Sequence, residues 1–249
     1  MNLLQSWQQA NPQLFPAVGL AVAFAFLAWG LSAVTAGAAL TGIVLTVILC
    51  LAAGPAALIP VIIVFLLTVV TTPIGRRKKE RLGTAEPRRG RGAPQILANV
   101  SVAVICAAPL IFVPYARYIL LAGAAAALAE AAGDTVSSEL GQTFGGHPRL
   151  ITTWRRVPPG QDGGITIAGT IFSLCAILIV CASCRWANLL LPQFQATALG
   201  AALAGTIVDS LLGATLERPG RLGNNGVNFT GTAFAAAVTI AILFVQRWR

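Results

Sequence analysis

Long uncharged apolar blocks are the feature that most constrains this chain. Eight of them lie at about 14–34, 37–53, 56–72, 96–114, 118–132, 165–184, 193–213 and 229–246. Each is close to the roughly 20 residues that a helix needs to cross a bilayer. Only 10% of the residues are charged, whereas soluble domains carry about 25%. The sequence therefore predicts an all-α fold, a polytopic transmembrane helix bundle of about eight spans, or seven, in a single integral membrane domain over 1–249.

The basic residues predict which ends of the helices face the cytoplasm. Thirteen of the 17 Lys and Arg residues lie in three connections, 73–95, 133–164 and 214–228. Positive charge is retained on the cytoplasmic side of membrane proteins. We therefore expect an inner (cytoplasmic) membrane location, with these three loops in the cytoplasm, the N-terminus outside, and the active site formed by the loops on the cytoplasmic face.

The eight acidic residues all map to the same predicted face. Ionisable side chains within membrane spans are costly, so their positions indicate function. Glu130 and Asp134 are four residues apart, and if their helix continues they share a face with Ser137 and Ser138. Asp209 lies inside the seventh predicted span. The acids therefore predict an interfacial site rather than a path through the midplane.

Glycine-rich and amide-rich segments accompany these acids. Asp162, Gly163 and Gly164 precede the sixth span, and 223–228 precedes the eighth. Glycine lets the backbone approach a phosphate closely, and Mg²⁺ favours a few carboxylates together with phosphate oxygens and water. A magnesium–nucleotide site is the resulting hypothesis. The alternative is that Asp, Asn and Gly here form ordinary turns.

The chain lacks the sequence signatures of P-loop nucleotide-binding enzymes and of hydrolases with a Ser, His and Asp triad. The only lysines are Lys78 and Lys79, so the chain has no G-x-x-x-x-G-K phosphate-binding loop. His147 is the only histidine, and no plausible Ser, His and Asp set accompanies it. Phosphoryl transfer needs positioning and charge neutralisation more than covalent help from the protein, which fits the remaining inventory.

Several motifs occur in a recognisable order. They are G-R-x-A-P-Q-I-L-A-N from Gly90 to Asn99, G-D-T-x-S-S-E-x-G from Gly133, P-R-L-I-T-T, V-P-P-G-x-D-G-G, and G-N-N-x-V-N from Gly223. This order resembles the membrane family that contains the plant phytyl-phosphate kinase and the animal transmembrane protein 19. It is also distantly similar to phosphatidate cytidylyltransferase and to CTP-dependent polyprenol kinases. The cytidylyltransferase pattern ends in a run of acids, where this chain has asparagines.

The resemblance implies a kinase that transfers the γ-phosphate of a nucleoside triphosphate, with CTP the expected one, to a prenyl or phytyl monophosphate. Our hypothesis assigns Mg²⁺ to Asp134, Glu139 and Asp209, with Glu130 and Asp162 as weaker candidates. The predicted nucleotide- and phosphate-binding residues are Arg88, Arg89, Arg91, Gln95, Asn99, Ser137, Ser138, Arg155, Asp162, Gly163, Gly164, Asn224, Asn225 and Asn228.

The same residues fit other functions. A lipid-alcohol kinase or a CTP-dependent lipid cytidylyltransferase would use the same residue types, and a transporter of ions or small solutes also employs intramembrane acids. For the basic residues Arg76 to Lys79 the favoured interpretation is that they set topology and meet anionic lipid. Besides the bilayer, we expect the nucleotide and the lipid as partners and no nucleic acid. The sequence is also compatible with an oligomer.

Overall fold

The computed structural model describes residues 14–113 and 116–247. Its α-helices are α1 Leu14–Gly30, α2 Ala36–Ala53, α3 Leu58–Thr71, α4 Arg76–Leu82, α5 Ala93–Ala107, α6 Arg117–Phe144, α7 Ile167–Trp186, α8 Gln195–Leu212 and α9 Asn224–Arg247. Short 3₁₀ segments extend several of them. Two antiparallel strands of two residues each, β1 Arg149–Leu150 and β2 Gly164–Ile165, pair within the loop between α6 and α7.

Length and composition make most of these helices membrane spans. Six apolar helices in the described ranges are long enough to cross a bilayer, and α3 together with α4 makes a seventh if the bent pair is one span. The first helix is apolar but shorter, with 17 residues. The predicted all-α membrane bundle is confirmed. This short helix corresponds to the first predicted span, 14–34.

The alanine-rich helix α6 is the centre of the bundle. Its apolar stretch is 89% buried, whereas the other five long spans are 22–44% buried. It packs against α3, α5, α7, α8 and α9. Small side chains let membrane helices approach closely, and Ala122, Ala126 and Ala129 are fully buried in this packing. Any side chain that α6 carries near its end is therefore held firmly.

Two of the predicted loops are shorter than expected. Helix α6 continues to Phe144, so the first twelve residues of the predicted loop 133–164 are helical. Gly133 does not end the helix, because it serves close packing: an added Cβ would lie 2.7 Å from Ile177 Cγ1. Likewise α9 begins at Asn224, and a π-helical turn, Gly213–Glu217, extends α8. The loop 214–228 therefore shrinks to its middle residues.

The predicted basic loop 73–95 contains a helix of its own. After α3 the chain turns by 75° into α4. Gly75 adopts a left-handed conformation at this corner, with φ of 69°, which suits a residue without a Cβ. Because of the bend, α4 lies back along the end of α6, and one of its lysines becomes buried.

Candidate active site

A polar cavity of about 130 Å³ lies where α6, α8 and the start of α9 meet the loop before α7. Helices α6 and α8 supply its floor, and the segment 160–166 forms one wall. Its lining includes eight of the residues predicted from the sequence, namely Asp134, Ser137, Ser138, Asp162, Gly163, Gly164, Asp209 and Asn224. These residues are up to 90 positions apart in the chain, yet the fold brings them to one cavity.

Two aspartates define the inner end of this cavity. Asp134 of α6 and Asp209 of α8 both line the cavity, and they lie close enough for each carboxylate to act electrostatically on the other. Asp209 is buried, and its Oδ2 has no hydrogen-bond partner among the described residues. Buried polar atoms are normally satisfied, so an unpartnered carboxylate oxygen calls for a physical explanation.

A third acid lies directly behind this pair. Glu130, one turn before Asp134 on α6, is 1% exposed, and neither carboxylate oxygen has a hydrogen-bond partner in the described ranges. Glycines make room for it. A Cβ on Gly205 would lie 2.6 Å from Glu130 Cγ, and one on Gly231 would lie 2.6 Å from Glu130 Oε1. Helices α8 and α9 therefore approach α6 closely around this side chain.

The loop wall is built on glycine. Gly160 and Gly163 have φ values of 85° and 74°, and any Cβ on Gly163 would collide with the backbone of Ala214. The loop therefore seats directly on the turn that follows α8. Burial raises the pKa of the Asp162 carboxyl in this loop, and the charge of Arg218 partly offsets that rise.

The fold separates Glu139 from the acids with which we grouped it. Five residues after Asp134, Glu139 points away from the polar cavity and is ion-paired with Lys79 of α4, which is itself 1% exposed. Arg91 Nη2 lies 3.6 Å from Glu139 Oε1, and the hydroxyl of Thr72 donates to the same oxygen at 3.1 Å. This carboxylate is fully compensated by the protein, so its predicted role as a Mg²⁺ ligand has no support from its surroundings.

Arg91 occupies a central position between several groups. It lies 3.9 Å from Glu86, and its charge also acts on Asp134. Its side chain is only 13% exposed, yet its buried Nε has no hydrogen-bond partner among the described residues. The guanidinium therefore retains a donor that could meet an anion next to the aspartates.

The predicted amide residues divide into two sets. Asn99 of α5 accepts a hydrogen bond of 3.3 Å from Asn228 of α9, whose own Oδ1 has no partner in the described ranges. Gln95 instead supports the first turn of α5: it accepts from the backbone of Gly92 and donates to Glu86 at 2.6 Å. Gln95 therefore acts on Arg91 through Glu86.

The remaining predicted residues do not line the polar cavity. Arg88, Arg89, Arg155 and Asn225 are exposed. Arg88 has an 86% exposed side chain, and it lies 3.6 Å from Glu80. The structure does not bring these four side chains to the aspartates. Their predicted contacts with phosphate stay predictions.

The residues at the inner end fit a magnesium ion bound together with a substrate. Within residues 14–113 and 116–247 no three His, Cys, Asp or Glu side chains are placed to hold a metal by themselves. The two aspartates nevertheless face each other, and no Lys or Arg of the described chain is ion-paired with them. Mg²⁺ commonly binds through one or two carboxylates, with waters and substrate phosphates completing its coordination. The unpartnered oxygen of Asp209 agrees with such a ligand set.

Lys79 was not predicted as part of the site. In the sequence it is one of four consecutive basic residues, and nothing separates it from Lys78. The 75° bend before α4 is what buries it against Glu139, where it also donates to the Thr72 carbonyl at 2.6 Å.

Comparison with known proteins identifies the family. The model of the family described as integral membrane protein DUF92 matches residues 19–236. The chain belongs to this family. An uncharacterized membrane protein of Synechocystis sp. is 32% identical over 202 residues, which cover 80% of this chain and 78% of that protein. One of Methanocaldococcus jannaschii is 33% identical over 180 residues, or 72% of each chain.

A plant relative extends the comparison. The protein VTE6, chloroplastic, of Arabidopsis thaliana is 28% identical over 205 residues, which cover 78% of this chain and 61% of that protein. No solved structure matches the chain. The polar cavity, the acids and Arg91 all lie within the matched range 19–236. The DUF92 chain is thus an integral membrane protein whose candidate site belongs to the shared part of the family.

Proposed function

We propose that this DUF92 protein is a membrane kinase that transfers the γ-phosphate of a nucleoside triphosphate to a lipid monophosphate. The observation that carries the proposal is the uncompensated pair Asp134 and Asp209, at the inner end of a polar cavity beside the partly free guanidinium of Arg91. Carboxylates that can hold a metal ion, next to a cation whose charge reaches them, suit the transfer of a phosphoryl group between two anions.

The residues divide the work as follows. Asp134 and Asp209 would hold Mg²⁺, which neutralises phosphate charge when it is bound. Gly163, Gly164 and Asn224 would contact the nucleotide, together with the hydroxyls of Ser137 and Ser138. Arg91 would orient the acceptor phosphate. The γ-phosphate of the nucleotide and the acceptor phosphate would then meet next to Asp134 and Asp209.

The reaction needs little proton transfer. An oxygen of the acceptor monophosphate attacks the γ-phosphorus, the bond to the β–γ bridging oxygen breaks, and the nucleoside diphosphate leaves with the electron pair. A monophosphate is already an anionic nucleophile, so no strong general base is required. The carboxylates are therefore free to serve as metal ligands rather than as a base.

The resemblance to the family that contains phytyl-phosphate kinase supports the finer assignment. It favours CTP as the donor, a prenyl monophosphate such as phytyl phosphate as the acceptor, and the corresponding diphosphate as the product. The basic connections support a site on the cytoplasmic side of the inner membrane.

Isotope labelling tests the proposal directly. Purified protein in detergent, with Mg²⁺ and phytyl phosphate, is given CTP labelled at the γ or the α position in parallel reactions. Entry of γ-label into phytyl diphosphate is the expected result. Phytol and phosphatidate serve as alternative acceptors: γ-label entering phytyl phosphate from phytol would favour an alcohol kinase, and α-label entering lipid would favour cytidylyl transfer. Absence of label from every lipid would contradict an enzyme of this kind and revive transport.

A further inference from the structure

A second cavity, of about 100 Å³, lies between α1, α2, α3 and α5. Its walls are almost entirely apolar, and small residues such as Ala25, Ala39 and Gly42 keep it open. Phe24 and Phe65 meet edge to face across it, with ring centroids 5.0 Å apart. The cavity is partly open to the outside of the bundle, and these ring residues and Gly42, which lie within the spans, are only partly buried.

One end of this cavity is polar. Among the side chains that line it are Arg91 and Asn99. The buried Nε of Arg91 lacks a hydrogen-bond partner in the described ranges, and its ion pairs with Glu139 and Glu86 are long, at 3.6 and 3.9 Å. An apolar cavity that ends at a guanidinium with a spare donor has the chemistry of a site for a lipid with an anionic head.

The polar end adjoins the aspartates. The charge of Arg91 reaches Asp134, and Asn99 is hydrogen-bonded to Asn228. On α9, Asn228 lies one turn from Asn224, which lines the polar cavity. It also lies one turn from Gly231, where a Cβ would be 3.3 Å from Asp209 Oδ2. One face of α9 therefore connects the two cavities.

We propose that this second cavity holds the hydrocarbon chain of a single-chain lipid monophosphate, with the phosphate bound by Arg91 and directed at Asp134. Its role as the acceptor site rests on the function proposed above. One cavity crossed by an aromatic pair accommodates one chain rather than two. The lipid enters sideways from the bilayer between α1 and α3, and the nucleotide enters through the polar cavity.

Crosslinking tests where the chain lies without requiring turnover. The probe is a prenyl monophosphate that carries a diazirine at the far end of its chain, and peptides labelled after illumination are mapped by mass spectrometry. We expect label on α1, α2 and α3. Label confined to α7, α8 or α9 would overturn the proposal.

A pair of glycines provides matched variants. A Cβ on Gly42 meets nothing within 4 Å, so Gly42→Leu adds its side chain to the cavity without a backbone clash. Gly19 on α1 also has nothing within 4 Å, but it is exposed and lies outside the cavity lining. Gly42→Leu should weaken labelling by about tenfold, as expected when a side chain overfills a cavity, and Gly19→Leu should leave it unchanged. Equal labelling of the two variants would contradict the site.

Competition tests the head group and the number of chains. Unlabelled prenyl monophosphate should displace the probe, and Arg91→Gln should weaken this displacement by about tenfold through loss of a charge-assisted contact. Displacement by the corresponding alcohol should not change. Arg91→Lys keeps the positive charge but lacks the planar guanidinium with its several N–H donors. Displacement from this variant should be intermediate between wild type and Arg91→Gln. Equally strong displacement by a diacyl phosphatidate would overturn the single-chain assignment.

The two proposals fail in different ways. If Gly42→Leu weakens labelling and Arg91→Gln weakens displacement, but no γ-phosphate is transferred, the lipid site is supported and the kinase activity is contradicted. If γ-phosphate is transferred but neither substitution changes labelling or displacement, the kinase activity is supported and the second cavity is not the lipid site.

Discussion

Helix α6 carries carboxylates with opposite surroundings. Asp134 faces Asp209, with Glu130 behind it, and none of these three is ion-paired with a Lys or Arg of the described chain. Glu139, a turn and a half later, is paired with Lys79 and Arg91 and accepts from Thr72. The fold thus neutralises the Glu139 carboxylate with cations of the protein. It leaves the neighbouring group of Asp134, Asp209 and Glu130 without an ion pair in the described chain.

The difference separates a structural role from a functional one. An uncompensated buried charge is costly, and leaving it so is typical of a site that receives an external cation or ligand. A fully paired carboxylate has no such need. We therefore propose Asp134 and Asp209 as the cation-holding residues, with Glu130 close behind, and treat Glu139 as the group that positions Lys79 and Arg91.

The largest effect is expected at the acid pair. Asp134→Asn or Asp209→Asn should lower γ-phosphate transfer by about a thousandfold or more, because the metal ion contributes several kcal/mol to transition-state stabilisation. Insertion and extraction should be normal. The exposed Glu80→Gln provides a control with unchanged turnover. Retained activity in Asp134→Asn would remove that residue from the site.

The same substitutions should stabilise the protein when Mg²⁺ is absent. Each one removes a charge from a cluster of carboxylates that repel one another in a buried place. Thermal unfolding in EDTA should therefore shift upward for Asp209→Asn, and the stabilisation that Mg²⁺ gives the wild type should disappear. A lower unfolding temperature in EDTA would mean that the acid cluster is already satisfied within the protein.

On the compensated side, Lys79→Met should be strongly destabilising. It leaves Glu139 buried with a weakened set of partners, and breaking a buried pair costs about 3–5 kcal/mol. Lys79→Met with Glu139→Gln should recover much of that loss. Lys78→Met is the matched control, because Lys78 is exposed and makes only a backbone contact with Thr143. Unfolding in denaturant measures all three, and equal stability of the two single variants would refute the buried pair.

The smallest effect concerns Asp162 at the rim. Burial raises the pKa of its carboxyl, so the folded chain holds this proton to a higher pH than the unfolded chain, whose aspartates titrate near 4. Stability attributable to this group is therefore lost as the pH rises through its raised pKa. Asp162→Asn should flatten the fall in unfolding temperature as the pH rises above about 4. An unchanged pH profile would show that Asp162 is not desolvated.

Much of the fold can be predicted from the sequence, because the thickness of the bilayer fixes the length of an apolar membrane helix. The chain positions of the spans and the convergence of Asp134, Asp162 and Asp209 required only hydropathy and motif order. The ends of the helices were less predictable. Gly133 in α6 and the asparagines at the start of α9 suit loops by propensity, but packing against Ile177 and the approach of α9 to α6 make them helical.

The partners of each charge could not be predicted at all. Glu139 follows Asp134 by only five residues, and sequence spacing does not tell which of them meets a cation. That depends on the bend at Gly75, which brings Lys79 beneath α6, and on the turn that directs Arg91 inward. The second cavity could not be predicted either, because its walls are mostly ordinary apolar residues of separate spans.

Cation binding tests the contrast between the two carboxylate sites most directly. Mn²⁺ in place of Mg²⁺, with a non-hydrolysable CTP analogue, is titrated by electron paramagnetic resonance into three proteins: wild type, Asp209→Asn, and the neutral double variant Lys79→Met with Glu139→Gln. We expect wild type and the double variant to bind Mn²⁺ alike, and Asp209→Asn to bind at least about tenfold more weakly, which corresponds to the loss of one charged ligand. The opposite order, with binding lost in the double variant and kept in Asp209→Asn, would contradict the assignment.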